Sequence, residues 1–111
     1  MTLEREWMRG AAPLAVLTLL ARREMYGYEL VRSVRLVTRE AISLGEGVIY
    51  PVLHSLEKNG ALRARRKAVK GRTRVYYSLT AKGKRRLERL EQDWQRIQSG
   101  INASLDGLKH A

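Results

Sequence analysis

Apolar residues in the first half of the chain recur with helical spacing and predict three helices. Residues 4–22 have the pattern of a helix, and the apolar residues between Leu14 and Leu20 are too dense for a half-exposed face, which is typical of a helix at the centre of a core. Pro13 interrupts it, so either the helix begins there or it kinks there, with residues 4–10 as an arm that carries Trp7. A second helix is predicted over residues 25–40. Its inner stripe is Gly27, Leu30, Val31, Val34 and Val37.

A third helix follows an expected turn at residues 42–47. Its inner residues stand at i, i+3, i+4 and i+7, which is the spacing of one helix face. They are Ile49, Val52, Leu53 and Leu56. Gly47 and Pro51 are poor helix formers, and both fall on the opposite face. We therefore expect a helix that is bent or loosened on its outer side and that ends in a left-handed cap at Asn59 and Gly60.

Residues 61–80 change from helical to alternating spacing, which predicts a β-hairpin. The first strand is expected over residues 61–67, and the turn at residues 69–72, where Gly71 can adopt positive φ. The side chains expected to face inward are Leu62, Ala64, Val75, Tyr77 and Leu79.

A long fourth helix is predicted over residues 81–108, with Thr80 as its N-cap. Its apolar residues recur at near-heptad spacing. They are Leu87, Leu90, Trp94, Ile97, Ile101, Leu105 and Leu108. Such a helix is about 42 Å long, whereas the body before it should be about 30 Å across. The outer part of this seam therefore needs a second chain to cover it, which predicts a homodimer.

The composition gives the chain a basic net charge and excludes sites that need cysteine. The chain has 111 residues, about one small domain, and a net charge of +11 from 22 Lys and Arg against 11 Asp and Glu. This charge favours a polyanionic partner, the alternative being a basic protein without one. Cysteine is absent, which excludes disulfides, thiolate metal sites and cysteine catalysis.

The remaining chemical and membrane signals are weak. The two histidines, His54 and His110, are far apart, and no glycine-rich phosphate loop follows a strand, so we expect no enzyme, metal site or cofactor. The apolar run at residues 11–21 is too short to span a bilayer, and no basic signal region precedes it. We expect a cytoplasmic protein without a membrane partner.

Three helices followed by a basic hairpin is the element order of a winged helix-turn-helix domain, in which the third helix enters the DNA major groove and the hairpin is the wing. The predicted fold class is mostly α with a small β-hairpin. Residues 1–80 would form the DNA-binding domain and residues 81–111 the coiled-coil-like dimerisation helix. The wing is basic throughout and carries no acid. Its cations are Arg63, Arg65, Arg66, Lys67, Lys70, Arg72 and Arg74.

Three segments together resemble the PadR family of bacterial transcriptional regulators: MYGYEL at 25–30, VIYPVLHSLEKNG at 48–60 and GRTRVYYSLTAKG at 71–83. The length of the chain, with a single C-terminal helix, resembles that of the short subgroup of the family. The resemblance implies a cytoplasmic, dimeric winged-helix repressor that dimerises through the last helix and controls detoxification or efflux genes or its own operon. One departure is the pair Gly45 and Glu46, where the family usually has Ser-Pro. This removes a serine N-cap from the third helix.

Residues on the third helix, on the wing and at the start of the second helix are the candidate DNA contacts. They are Tyr26, Gly47, Val48, Tyr50, Pro51, His54, Lys67, Lys70, Arg72 and Arg74. Plain exposed surface is the alternative for each, and the resemblance favours contact at Tyr50 in particular. Tyr28 would either meet phosphate or lie in the core.

Trp94, in the middle of the seam, is either a packed aromatic residue or a platform for a planar aromatic effector held between two subunits. The resemblance supports the second interpretation, because short relatives that sense drugs hold planar ligands near a tryptophan on this helix. The leading hypothesis is a sequence-specific regulator that binds a palindromic operator in double-stranded DNA and is released by such a ligand. The alternatives are a non-specific nucleic-acid-binding accessory protein and a module that binds an acidic protein.

Overall fold

The computed structural model describes residues 3–110, and this part of the chain forms four helices and one three-stranded antiparallel sheet. The helices are α1 (Arg5–Leu20), α2 (Gly27–Val37), α3 (Glu46–Lys58) and α4 (Ala81–Lys109). The strands are β1 (Met25–Tyr26), β2 (Leu62–Val69) and β3 (Arg72–Leu79). The predicted fold class is confirmed. The division into residues 1–80 and 81–111 stays a prediction, and residues 1, 2 and 111 lie outside the described range.

Helix α1 is continuous from Arg5 through Pro13, so the residues expected as a separate arm are its first turns. Leu17 is fully buried at the centre of the core, while Trp7 is exposed near the beginning of the helix. Pro13 lacks an amide hydrogen and cannot bond to the carbonyl of Arg9. The helix accommodates this single missing bond, because its C-terminal half is held by burial.

Helix α2 is shorter than predicted at both ends. Residues 25 and 26 form β1, which pairs with β3 in the middle of the sheet. Val37 was predicted to face inward but is 49% exposed, because α2 ends there. Arg39 and Glu40 then adopt positive φ, which reverses the chain direction. In the loop that follows, Leu44 is fully buried, a core position that no periodic pattern indicated.

Helix α3 packs on α1 and α2 through Ile49, Leu53 and Leu56, all buried as predicted, with Val52 half-buried beside them. It begins after Gly45, which makes no side-chain cap hydrogen bond, and it runs on through Pro51. Its end is a Schellman motif. Gly60 has a φ of 82°, the amide of Ala61 donates to the carbonyl of Leu56, and the amide of Gly60 donates to that of Glu57.

The hairpin pairs Leu62 with Leu79 at its base and Val69 with Arg72 at its tip. Strand β2 therefore begins one residue later and ends two residues later than predicted. At the tip, Lys70 and Gly71 both have positive φ, as in a type I′ turn.

Helix α4 starts at a capped junction with the body. The hydroxyl of Thr80 accepts a hydrogen bond from the amide of Gly83 at 3.0 Å, as the predicted N-cap should, and it donates to the carbonyl of Gly60 at 2.6 Å. The helix has 29 residues and is therefore about 44 Å long. Leu87 and Leu90 pack against the core, whereas the seam from Trp94 onward is exposed.

Candidate nucleic-acid interface

The outer face of α3 carries mostly small side chains, and the rest of the chain leaves this face exposed. Gly47, Pro51, His54 and Ser55 are all exposed. A Cβ atom added at Gly47 would meet nothing within 4 Å, so packing in this chain does not require glycine there. The absent side chain instead leaves room for another molecule to approach the helix backbone closely.

Two predicted contact residues, Val48 and Tyr50, lie on the flanks of α3 and are half-buried. The Tyr50 ring packs on Gly27 of α2, where a Cβ atom would be 2.5 Å from its Cε1 atom. The placement of Tyr50 on the outer face was therefore wrong, since its ring fills the contact between α2 and α3. A DNA contact by these two residues stays a prediction for their accessible edges.

The inner side of the sheet has a buried tyrosine near this contact. Tyr77 is 4% exposed, and burial raises the pKa of its phenol above the ordinary value, with further contributions from the nearby Glu57 and Tyr50. Tyr77 is consequently neutral at physiological pH and serves as core, not as an ionised site.

The outer face of the sheet is a cationic and aromatic surface. The Arg74 guanidinium lies 4.4 Å from the ring centroid of Tyr26, and the Lys67 ammonium lies 5.3 Å from that of Tyr76. The two tyrosine rings meet edge to face at 5.4 Å. Strand register explains the grouping: Tyr26 is opposite Tyr76, and Lys67 is opposite Arg74. Three predicted site residues are thus brought together, and Tyr76 joins them.

One wing cation is neutralised by an acid from outside the hairpin. Arg65 forms an ion pair with Glu24, which lies just before β1. The other wing cations predicted to contact DNA make no ion pair within residues 3–110. They are Lys67, Lys70, Arg72 and Arg74. No local pattern predicted the Glu24 contact, because only the pairing of β1 with β3 brings residues 24 and 65 together.

Other predicted functions map elsewhere. Trp94 is 45% exposed on the outer part of α4, on the same stripe as Ile97 and Ile101. Tyr28 is 52% exposed, which excludes the core position considered for it.

Across residues 3–110, no group of three or more acidic or histidine side chains is arranged to hold a metal ion. Within the same range, no helix has the length and apolar character needed to cross a bilayer.

Comparison with known proteins gives consistent matches along the chain. Residues 16–89 match the model of the Transcriptional regulator PadR-like family. The chain is 30% identical to Transcriptional regulator Rv3488 of Mycobacterium tuberculosis over 106 residues, which cover 96% of this chain and 94% of that protein.

Solved structures show the same fold. A transcriptional regulator from Clostridium thermocellum superposes with a TM-score of 0.82 at 28% identity, covering 87% of this chain and 95% of the other. A PadR family transcription regulator from Clostridium difficile superposes with a TM-score of 0.72 at 28% identity, covering 86% and 98%.

Proposed function

We propose that this chain, which belongs to the PadR-like family of transcriptional regulators, is a homodimeric repressor that binds a palindromic operator. In this proposal α3 lies in the major groove and the wing contacts the flanking backbone. Family membership supports a DNA-binding regulator. We further propose the repressor role, the palindromic operator and the dimer.

The observation that carries the proposal is the outer face of the wing. Lys67 and Arg74 are held side by side on aromatic rings, and neither is neutralised by an acid within the described residues. Holding long cationic side chains in place reduces the entropy lost when they bind phosphate. The exposed outer face of α3, with Gly47 at its N-terminal end, provides the adjoining surface for base edges.

The test is the binding of a labelled duplex at several salt concentrations. Binding of the unmodified protein should weaken with a slope of log K against log salt of about −0.9 for each phosphate contact. The double variant Arg72→Ala/Arg74→Ala should weaken binding to operator and to random duplex alike, because phosphate contacts carry no sequence information. The matched control is Arg96→Ala/Lys109→Ala, which removes the same charge from the outer part of α4 and should bind nearly as well. A flat salt dependence of the unmodified protein would count against the proposal.

Footprinting separates a specific repressor from a non-specific accessory protein. A dimer should protect two half-sites whose centres lie about 34–36 Å apart, or a multiple of that distance. The inverted repeats to examine first are those in the DNA next to the gene. Uniform protection of any duplex would favour the accessory protein, and no duplex binding at low salt would favour a module for an acidic protein.

The proposed effector is a planar aromatic molecule that stacks on Trp94 between two subunits. Trp94 offers a half-exposed ring on an apolar stripe, which suits such a ligand. Because Trp7 is also exposed, the titration should use a Trp7→Phe variant, in which Trp94 is the remaining tryptophan. Quenching by planar compounds, together with release of operator, is expected. Unchanged fluorescence across a broad panel would leave Trp94 with a packing role alone.

A further inference from the structure

A groove of about 380 Å³ lies between α1, α3 and α4, beside the exposed face of α3 described above. Apolar residues and two arginines line it. Its principal lining residues are Arg9, Pro13, Val48, Val52, Ser55 and Arg86. It also reaches Gly47 and Pro51, so it is continuous with the outer face of α3.

The charge of this groove is unbalanced. Arg9 and Arg86 both line it, no acidic residue does, and neither arginine forms an ion pair in the part of the chain that the structure describes. Two guanidinium groups that share one groove repel each other, and an anion between them would relieve this repulsion. Arg86 is half-buried and Arg9 is exposed, so both arginines are accessible to a ligand in the groove.

The groove lies on the flank of α3 that faces away from α2, and Tyr26, on which the wing residue Arg74 stacks, directly precedes α2. Val48 lines the groove, whereas Tyr50 packs on Gly27 of α2. Residues two positions apart on a helix differ by about 200° in direction, so these two side chains mark opposite flanks. A helix of about 10–12 Å diameter fills a major groove about 12 Å wide, and each of its flanks then faces a different DNA strand.

We infer that Arg9 and Arg86 form a second phosphate clamp, which binds the DNA backbone on the side of α3 opposite the wing. The occupant is a backbone phosphate, with the exposed Ser55 hydroxyl as a further donor. This inference rests on the proposed function, since it requires α3 in the major groove. It adds that α3 is held from both sides, by the wing on one strand and by α1 and α4 on the other.

The test compares Arg9→Ala/Arg86→Ala with the unmodified protein on one random-sequence duplex across a salt series. Each lost contact should reduce the slope of log K against log salt by about 0.9 per subunit, and binding should weaken by about tenfold per arginine. The matched control is again Arg96→Ala/Lys109→Ala, whose nearer site lies ten residues, or about 15 Å, beyond Arg86 along α4. Thermal unfolding of each variant checks that it is folded.

A second variant, Arg9→Lys/Arg86→Lys, keeps the charge if the alanine variant does not fold. It should keep the slope of the unmodified protein and bind between the unmodified and alanine proteins. If the unmodified protein binds duplex with a steep salt slope and neither double variant changes that binding, the clamp is wrong while the proposed function stands. If the unmodified protein binds no duplex at low salt, the proposed function itself fails.

A small free anion is the alternative occupant of this groove. Isothermal titration with inorganic phosphate in the absence of DNA distinguishes the two. Millimolar or tighter binding that Arg9→Ala/Arg86→Ala abolishes, together with an unchanged DNA salt slope, would overturn the clamp in favour of a free anion.

Discussion

The two halves of α4 share one apolar spacing, yet they have opposite surroundings. Leu87 and Leu90 pack against the core of the body, whereas Ile97 and Ile101 are 53% and 50% exposed. The helix is longer than the body is wide, so its inner half finds partners within the chain and its outer half does not. Periodicity therefore specifies which face of a helix is apolar, and the dimensions of the body decide whether that face has a partner.

The glycines of α4 repeat this difference. Gly83, in the first turn, lies against the end of α3, and a Cβ atom there would be 2.1 Å from the carbonyl oxygen of Ala61. Gly100, in the outer half, would place a Cβ atom within 4 Å of nothing. The first glycine fixes the direction in which α4 leaves the body, while the second only reduces helix stability.

The largest expected effect comes from placing a charge on the outer stripe. In Ile101→Glu, each dimer would bury two uncompensated carboxylates, which costs about 4 kcal/mol and weakens association about a thousandfold. Sedimentation should then show monomers at concentrations at which the unmodified protein is dimeric. Ser99→Glu adds the same charge on the other side of the helix and should leave the dimer intact. A dimeric Ile101→Glu protein would mean that the outer half is not the interface.

The next effect compares the two glycines. Gly83→Ala should lower the free energy of unfolding by about 3 kcal/mol, because either α4 or the end of α3 must move to admit the methyl group. Gly100→Ala should raise it by about 1 kcal/mol, since alanine is the better helix former. Urea unfolding of both variants measures the difference. A loss of stability in Gly100→Ala would instead show that Gly100 packs closely against a second chain.

The smallest effect belongs to the body alone. Burial raises the pKa of Tyr77, so the folded chain holds this proton more tightly than the unfolded chain does. The contribution of this proton to the free energy of unfolding is complete below the ordinary tyrosine pKa of about 10. It is lost as the pH rises through the higher pKa of Tyr77 in the folded chain. Tyr77→Phe should therefore lose less stability between pH 8 and pH 11 than the unmodified protein does. An equal loss in both proteins would contradict this role.

Local patterns in the sequence anticipated the helices, the hairpin and its turn, the Thr80 cap and the inner face of α3. These features depend on spacing and on single residues such as Gly60 and Gly71, whose positive φ the structure confirms. The exposed outer face of α3 around Gly47, Pro51 and His54 followed from the same count of faces.

Contacts between distant segments were beyond such patterns. The β1 strand exists because Met25 and Tyr26 meet β3, and Leu44 is buried because a loop crosses the core. Local patterns also did not predict the packing of Tyr50 on Gly27, although a glycine inside a helical pattern is a signal for close packing. Gly83 carried the same signal.

The spacing of residues along the chain specifies the type of each element and the face that each buries, because helix and strand periods are local properties of the backbone. Which charges remain free depends on the folded structure. The folded chain pairs Arg65 with Glu24, stacks Arg74 on Tyr26, and brings Arg9 of α1 and Arg86 of α4 to one groove. Coulomb energy depends on separation in space, and the order of residues along the chain does not give that separation.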